Sequence, residues 1–189
     1  MKIVKKLNSL KVFESLKESG VVVIPTDTIY GVVGLASSKK ALGGIYELKG
    51  RDKSKPFIVL ISSIEDLGLL EIKLDENQKN LVEKYWPGKV SIVFPRAHDT
   101  LAVRLPDYPE LRELIKKTGP LIAPSANTEG KPPAKNVKEA INYFGDKIDY
   151  YVDGGEINSE PSTLIKLEYG KVVVLREGAV KIEESDKAS

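Results

Sequence analysis

The chain has 189 residues, 41% hydrophobic and 30% charged, which suits one globular domain with a sizeable core. Its net charge of +2 is too small to indicate nucleic-acid binding by itself. There is no cysteine and a single histidine, His98, which excludes disulfides, thiolate catalysis and metal sites built from cysteines or several histidines. Because the sequence has no apolar run that suits a signal peptide or a membrane span, we expect a cytoplasmic protein without membrane contacts.

The first half of the chain alternates amphipathic and apolar segments. An amphipathic helix is predicted to end at Gly20, and residues 21–24 form a short β-branched run typical of a buried strand. Ser38 can cap a helix with apolar residues at helical spacing, which ends at Gly50. The next predicted elements are a strand at 57–61, a helix that Asp75 opens and that ends at 85–88, and strands at 90–94 and 101–105.

The second half begins with a helix from Pro109 to about residue 118. Asn136 and Glu139 have the spacing of a capping box before another helix. Strands are predicted at 121–123, 150–152, 163–167 and 172–175. Since the closing strands have no helices between them, we predict one α/β domain with a mixed sheet at 1–182, followed by a polar tail at 183–189. Loops rich in Gly, Pro, Ser and Thr are where a site is expected, and they lie near 25–37, 50–56, 125–135 and 154–161.

No standard phosphate-binding or hydrolase motif is present, because GxxxxGK[ST], GxGxxG, HExxH and GxSxG are all missing. The strongest local signal is the segment 49–55, which holds four cations and one carboxylate. Lys49 extends the apolar stripe of its helix, so it either faces a polar pocket or extends its ammonium to solvent. Alternatively, these cations complement the negative end of the helix dipole.

Hydroxyl groups follow the first buried strand. If the chain stays extended there, Thr26, Thr28 and Tyr30 share one side of it. They then either bind a small polar ligand or satisfy the backbone of a turn.

Residues 100–105 also separate by face, with Leu101, Val103 and Leu105 toward the core and Thr100, Ala102 and Arg104 opposite. Arg104 can bind a ligand carboxylate through two hydrogen bonds, or it can pair with an acid of the protein.

Ser125 and Asn127 end another apolar strand. A nucleophilic serine needs a base, and His98, in a polar loop, is the one histidine of the chain. Ser125 and Asn127 are therefore predicted to hydrogen-bond a ligand or to form an Asx-type turn.

Taken together, these segments resemble the YrdC family of threonylcarbamoyl-adenylate synthases. They occur in family order, with family-like spacing, over roughly residues 20–180. The motifs are PTDTIYG at 25–31, Lys-x-Arg at 49–51, TLAVR at 100–104, SAN at 125–127, DGG at 153–155, Ser-Thr at 162–163 and LREG at 175–178.

The resemblance implies an open twisted mixed β-sheet with flanking helices and a large, positively charged cavity. It implies a catalytic role for Lys49 and Arg51. The implied ATP-binding residues are Lys49, Arg51, Lys55, Ser125, Asn127 and Arg176. The implied threonine-binding residues are Thr28, Tyr30, Thr100, Arg104 and Ser162. Mg²⁺ would accompany ATP, and no metal would be bound by the protein itself.

The implied reaction forms threonylcarbamoyl-AMP and pyrophosphate from L-threonine, bicarbonate and ATP, for N6-threonylcarbamoyladenosine modification of tRNA. Its implied partners are tRNA, as a possible contact, and a downstream threonylcarbamoyl-transfer complex. Alternatives are a double-stranded RNA or tRNA-binding module, with a basic rim near 49–55 and 131–138, and a carbamoyl-adenylate-forming relative.

The sequence departs from the family pattern at two positions. Asp52 replaces a proline of many members, and Leu60 stands where some longer members place a histidine against threonine. Since the chain ends about ten residues after Gly178, it resembles the short, single-domain branch.

Overall fold

A computed structural model of the chain describes residues 2–50, 52, 57–183 and 186. Within them, ten strands form one sheet. The strands are β1 (Ile3–Val4), β2 (Val22–Ile24), β3 (Gly31–Leu35), β4 (Ile58–Leu60), β5 (Val90–Pro95), β6 (Thr100–Arg104), β7 (Leu121–Ile122), β8 (Tyr150–Val152), β9 (Thr163–Glu168) and β10 (Lys171–Arg176). The α-helices are α1 (Leu10–Lys17), α2 (Lys39–Lys49), α3 (Glu76–Tyr85), α4 (Pro109–Thr118) and α5 (Val137–Phe144), with 3-10 helices at Ile64–Leu70 and Gly145–Lys147.

The sheet is open and mixed. Its strand order is β1-β8-β2-β3-β7-β4-β6-β5-β9-β10. The pairs β1–β8, β2–β8, β4–β6 and β5–β9 are parallel and the other pairs are antiparallel. The predicted α/β fold, with an open twisted mixed sheet and flanking helices, is confirmed.

The helix ends follow the capping residues. The Ser38 hydroxyl accepts a hydrogen bond from the Ala41 N–H, and Gly50 ends α2 in the left-handed conformation at φ 60°. The Asn136 side chain likewise accepts from the Glu139 N–H. The rest of the predicted capping box is wrong, because the Glu139 carboxylate accepts from the Lys135 N–H, one residue early, at 2.8 Å.

Two strands were not expected, the two-residue β1 at Ile3–Val4 and the longer β3. Residues 25–37 were predicted as a loop, but Gly31–Leu35 forms β3 between β2 and β7. Two of its five residues are glycines, which weaken the strand pattern of a sequence. Gly34 is required by packing, since a Cβ there would lie 2.8 Å from the Cβ of Ala41 on α2. Gly34 therefore weakens the strand pattern of the sequence, and in the folded chain it allows helix α2 to pack close to β3.

In the strand order across the sheet, the half that contains β1, β8, β2, β3 and β7 is covered on both faces. Successive residues of β2 alternate between two core clusters: Val23 packs with α2 and α5, and Val22 packs with α1 and α4. Val32 and Val33 of β3 divide in the same way. Strands buried on both faces are apolar at every position, which explains the continuous run at 21–24.

The other half of the sheet is covered on one face. Val90, Ile92 and Phe94 of β5 and Val103 of β6 pack in a core cluster that also holds Leu81 and Val82 of α3. The intervening residues point to the opposite face, which no α-helix of the described chain covers with a core cluster. That bare face forms the floor of the candidate site.

The chain beyond residue 182 is described at two positions. The Lys84 ammonium on α3 lies 2.8 Å from Glu183 and 2.7 Å from Asp186. These contacts tie the described part of the polar tail to the domain, and the domain boundary at 182 stays a prediction. Among the helices of the described residues, none has both the length and the apolar character that a membrane span requires.

Candidate functional site

A cavity of about 350 Å³ lies over the bare face of the sheet. Its volume is near the lower end of the range for small-molecule sites. The large, positively charged cavity that the resemblance implies is not shown by the described residues, whose charged lining consists of Arg104 and Arg176. The lining is formed by Thr26, Thr28, Ile29, Gly31, Phe57, Ile58, Val93, Thr100, Ala102, Arg104, Ala123, Pro124, Ser125, Pro161, Ser162, Leu164, Leu175 and Arg176.

Strand β6 gives the cavity its buried cation. As predicted, Val103 and Leu105 lie in the core, while Thr100, Ala102 and Arg104 line the cavity. Arg104 is 4% exposed and forms an ion pair with Asp27, whose side chain is equally buried. Its Nη2 also lies 3.3 Å from the Thr28 hydroxyl. Of the two alternatives left open for Arg104, pairing with an acid of the protein is observed, whereas binding of a ligand carboxylate stays a prediction for a side chain that lines the cavity.

The Arg104 guanidinium is not fully satisfied. Its buried Nε–H has no hydrogen-bond partner among the described residues. An unsatisfied buried donor costs about 1–3 kcal/mol, more when the group is charged. An acceptor oxygen of a ligand in the cavity would remove that cost.

The segment after β2 forms a turn instead of continuing extended. The Thr26 hydroxyl accepts from the N–H groups of Thr28 and Ile29 and donates to the Ile29 carbonyl at 2.7 Å. Thr28 lies beside it, with 3.1 Å between the two hydroxyl oxygens. Thr26 therefore satisfies the turn, and Thr28 contacts both that hydroxyl and the Arg104 guanidinium.

Tyr30 does not share the side of Thr26 and Thr28, so that part of the prediction is wrong. The turn sends its side chain into the core, where the hydroxyl accepts from the Gly154 N–H at 2.9 Å and donates to the Gly155 carbonyl at 2.8 Å. Burial raises the pKa of Tyr30, which keeps this donor protonated. Tyr30 holds the DGG loop and does not line the cavity.

Lys49 also points inward. It is 3% exposed, and its ammonium donates to the Ser125 carbonyl at 2.6 Å, the Asn127 carbonyl at 2.7 Å and the Asn127 Oδ1 at 3.0 Å. Asn127 continues the network, because its amide donates to the carbonyls of Thr128 and Lys131. Of this group Ser125 alone lines the cavity. Lys49 and Asn127 therefore support the loop that presents Ser125, and their predicted ATP contacts stay predictions.

The opposite wall comes from the start of β9 and the end of β10. The Ser162 hydroxyl lies 2.8 Å from that of Ser91 on β5, and the Arg176 Nη2 donates to the Ser162 carbonyl at 2.7 Å. The chain after β10 returns against this wall at Gly178. A Cβ at Gly178 would lie 2.3 Å from the Pro161 carbonyl oxygen, which explains why glycine is needed there.

Arg51 and Lys55 lie outside the described residues, so their assignment to ATP phosphates stays a prediction. Leu60 packs in the core cluster with α1 and α4 and does not line the cavity, so it offers no contact in place of the histidine that some longer family members have at this position.

The sequence reasoning missed two polar residues, Asp27 and Ser91. Asp27 lies inside the PTDTIYG motif. The alternation expected of an extended chain put its neighbours Thr26 and Thr28 on the side considered for ligand binding and Asp27 on the other side. Ser91 is the polar member of the apolar run at 90–94. A hydroxyl within a predicted buried strand needs a partner, and that requirement was a usable signal.

The described residues offer no metal centre, since none of them form a group of three or more His, Cys, Asp or Glu placed to hold a metal ion. The cavity lining also contains no carboxylate among the described residues, although carboxylates are the usual protein ligands of Mg²⁺. What the arrangement can do is bind an anionic group through arginine and hydroxyl donors.

Comparison with known proteins identifies relatives of this chain. The profile of the Sua5/YciO/YrdC family, described as telomere recombination, matches residues 14–178. The threonylcarbamoyl-AMP synthase of Pyrococcus abyssi is 34% identical over 184 residues, which cover 91% of this chain and 54% of that protein. The enzyme of the same name from Bacillus subtilis is 34% identical over 182 residues, covering 89% of this chain and 53% of that protein.

A solved structure has the same fold. The crystal structure of P. abyssi Sua5 complexed with L-threonine superimposes with a TM-score of 0.85 at 31% identity, covering 94% of this chain and 58% of that chain. This chain therefore spans about half the length of the P. abyssi and B. subtilis relatives.

Proposed function

Because this chain belongs to the Sua5/YciO/YrdC family, we propose that it forms threonylcarbamoyl-AMP and pyrophosphate from L-threonine, bicarbonate and ATP. The observation that carries the proposal is the cavity with a buried arginine whose Nε–H lacks a partner among the described residues. A small anionic ligand with further polar groups suits that site. The relative solved with L-threonine supports an amino acid as that ligand.

The L-threonine substrate would bind at Arg104. A guanidinium has five N–H donors, and the hydrogen bonds to Asp27 and Thr28 use two of them. The remaining donors can bind the threonine carboxylate. Thr28 and Ser162 supply hydroxyls for the other polar groups, and Thr100 stays a predicted contact at the exposed end of β6.

The nucleotide would enter from the side of Ser125 and Arg176. Ser125 is held in place by the buried Lys49, and Arg176 offers a second cation to the cavity. Arg51 and Lys55 are proposed to meet the phosphates. Since the described lining has no carboxylate, Mg²⁺ would enter with ATP, held by the phosphate oxygens, as part of that substrate.

The chemistry fits a site without a protein nucleophile. The threonine amine attacks bicarbonate to give a carbamate and water. A carbamate oxygen then attacks the α-phosphorus of ATP, and the bond to the β-phosphate oxygen breaks to release pyrophosphate. Such a transfer depends on positioning and on charge neutralisation, which arginines and oriented hydroxyls provide. The absence of cysteine and the single histidine are therefore compatible with it.

The adenylate is a reactive intermediate, so a further enzyme has to consume it. We propose that its threonylcarbamoyl group passes to an adenosine of tRNA through a downstream transfer complex in the cytoplasm. Direct contact of tRNA with this chain belongs to the same proposal.

Incubation with Mg²⁺·ATP, bicarbonate and radiolabelled L-threonine tests the function. A labelled adenylate that requires all three substrates, formed together with pyrophosphate, is the expected result. Omission of bicarbonate is the internal control, since a simple aminoacyl adenylate would not need it. Turnover of ATP without threonine dependence would contradict the proposal, and salt-sensitive RNA binding with no turnover would favour an RNA-binding module.

A further inference from the structure

Ser91 is a buried polar side chain that the functions assigned above do not use. It lies on β5, on the same face as the cavity-lining Val93, and it is 0% exposed. Its Oγ lies 2.8 Å from the Oγ of Ser162, and this is its one side-chain hydrogen bond among the described residues. Ser162, in contrast, lines the cavity.

The direction of this hydrogen bond follows from burial. If Ser162 donated to Ser91, the Ser91 proton would be buried without an acceptor among the described atoms, which is costly. Ser91 therefore donates, and Ser162 accepts. The Arg176 Nη2 donates to the same Ser162 oxygen at 3.3 Å.

Two donors occupy both lone pairs of the Ser162 oxygen, so its own proton is directed elsewhere. No other described atom accepts that proton, and the side chain borders the cavity. Ser162 is therefore fixed as a donor toward the ligand. It can bind an oxygen acceptor, whereas an ammonium group, which has no lone pair, is disfavoured next to it.

We propose that Ser91 is a positioning residue for substrate recognition: it holds Ser162 as a hydrogen-bond donor to an acceptor oxygen of the bound amino acid. This inference rests on the proposed function, since it takes L-threonine as the ligand. Ser91 itself does not contact the substrate. It sets the orientation in which threonine binds, with an oxygen and not the amine against Ser162.

The first test measures L-threonine affinity by calorimetry, without ATP. Ser91→Ala should weaken binding about five-fold, which corresponds to the loss of one ordinary oriented hydrogen bond. Ser91→Thr, which keeps the hydroxyl, should stay within about two-fold of the wild type on the same scale. Ile92→Val is the matched control: its side chain is buried on the opposite face of β5, away from Ser162, and threonine affinity should not change.

A double-mutant cycle separates positioning from a general structural role. If Ser91 acts through Ser162, adding Ser91→Ala to Ser162→Ala should cause no further loss of threonine affinity. In the adenylate assay, Ser91→Ala should raise KM for threonine and leave KM for ATP unchanged. An equal loss in both backgrounds, or unchanged threonine affinity in a folded Ser91→Ala protein, overturns the inference. A wild-type protein that binds threonine but makes no adenylate contradicts the proposed function alone.

Discussion

The buried pair of Asp27 and Arg104 should be a large stability element, and Asp27→Asn tests it. Both side chains are 5% exposed, so neither charge is well solvated. Asparagine keeps the shape and one acceptor but removes the charge, which leaves the buried guanidinium without an opposite charge. Breaking a buried pair in this way costs about 3–5 kcal/mol, and the retained acceptor places the expected loss at the lower end of that range, about 3 kcal/mol.

Urea unfolding followed by circular dichroism measures this loss. With a slope of about 1–3 kcal/mol per molar urea, the midpoint should fall by at least about 1 M. The chain provides a matched control in the exposed pair of Arg96 and Asp99, whose side chains are 27% and 54% exposed. Asp99→Asn should lower the midpoint much less, because an exposed ion pair is solvated by water and screened by salt. If the two variants lose the same small amount, the pair at the cavity is solvated and the argument from burial fails.

Three further predictions concern the pocket, the backbone and the ionisation of a tyrosine. Threonine should bind best, then serine, with valine far behind, because valine lacks the hydroxyl that the buried polar groups of the cavity would bind. Arg104→Ala should abolish threonine binding. Calorimetry that shows equal affinities for valine and threonine would contradict this prediction. Gly178→Ala should lower the unfolding free energy by about 2 kcal/mol, since the added Cβ would collide with the Pro161 carbonyl. Gly43→Ala is the control, because the space around Gly43 in α2 is open and alanine favours a helix, so the unfolding free energy should rise by up to about 1 kcal/mol. Burial raises the pKa of Tyr30 in the folded state, so the contribution of Tyr30 to the unfolding free energy is fully present below its unfolded pKa of about 10 and is lost as the pH rises above that value. In thermal unfolding scans at increasing pH, Tyr30→Phe should make the loss of stability less steep. Identical pH profiles for the two proteins would count against the raised pKa.

Local patterns predicted the fold where one residue determines an element boundary. Ser38 and Gly50 bound α2 as expected, because an N-cap hydroxyl and a left-handed glycine act within a few residues of the chain. Strand β3 was missed because its two glycines weaken the strand pattern, and one of them, Gly34, is required by a distant contact. The need for Gly34 appears only when Ala41 is placed against it, and no local pattern contains that contact.

The same limit applies to the candidate site. Alternation along β6 predicted that Arg104 lies opposite the core, because the strand stays regular there. Alternation failed for Tyr30, since the Thr26 hydroxyl turns the chain between the two positions. Lys49 was expected to face a polar pocket, to extend to solvent or to complement the helix dipole. Its ammonium contacts the 125–127 loop, which is remote in sequence, and its predicted contact with ATP stays a prediction. Charge and spacing identified the polar residues, and tertiary contacts decided their partners.

Strands β5 and β6 pack against the core on one face only, and this arrangement affects how the protein can evolve. Along each of these strands, residues that maintain the core alternate with residues that form the cavity floor. A substitution at Val93 or Ala102 can alter the shape offered to a ligand while the neighbouring core positions, Ile92 and Val103, stay intact. Ligand preference and stability can thus vary at separate positions of the same strand, so a lineage could acquire a new substrate without first losing its fold.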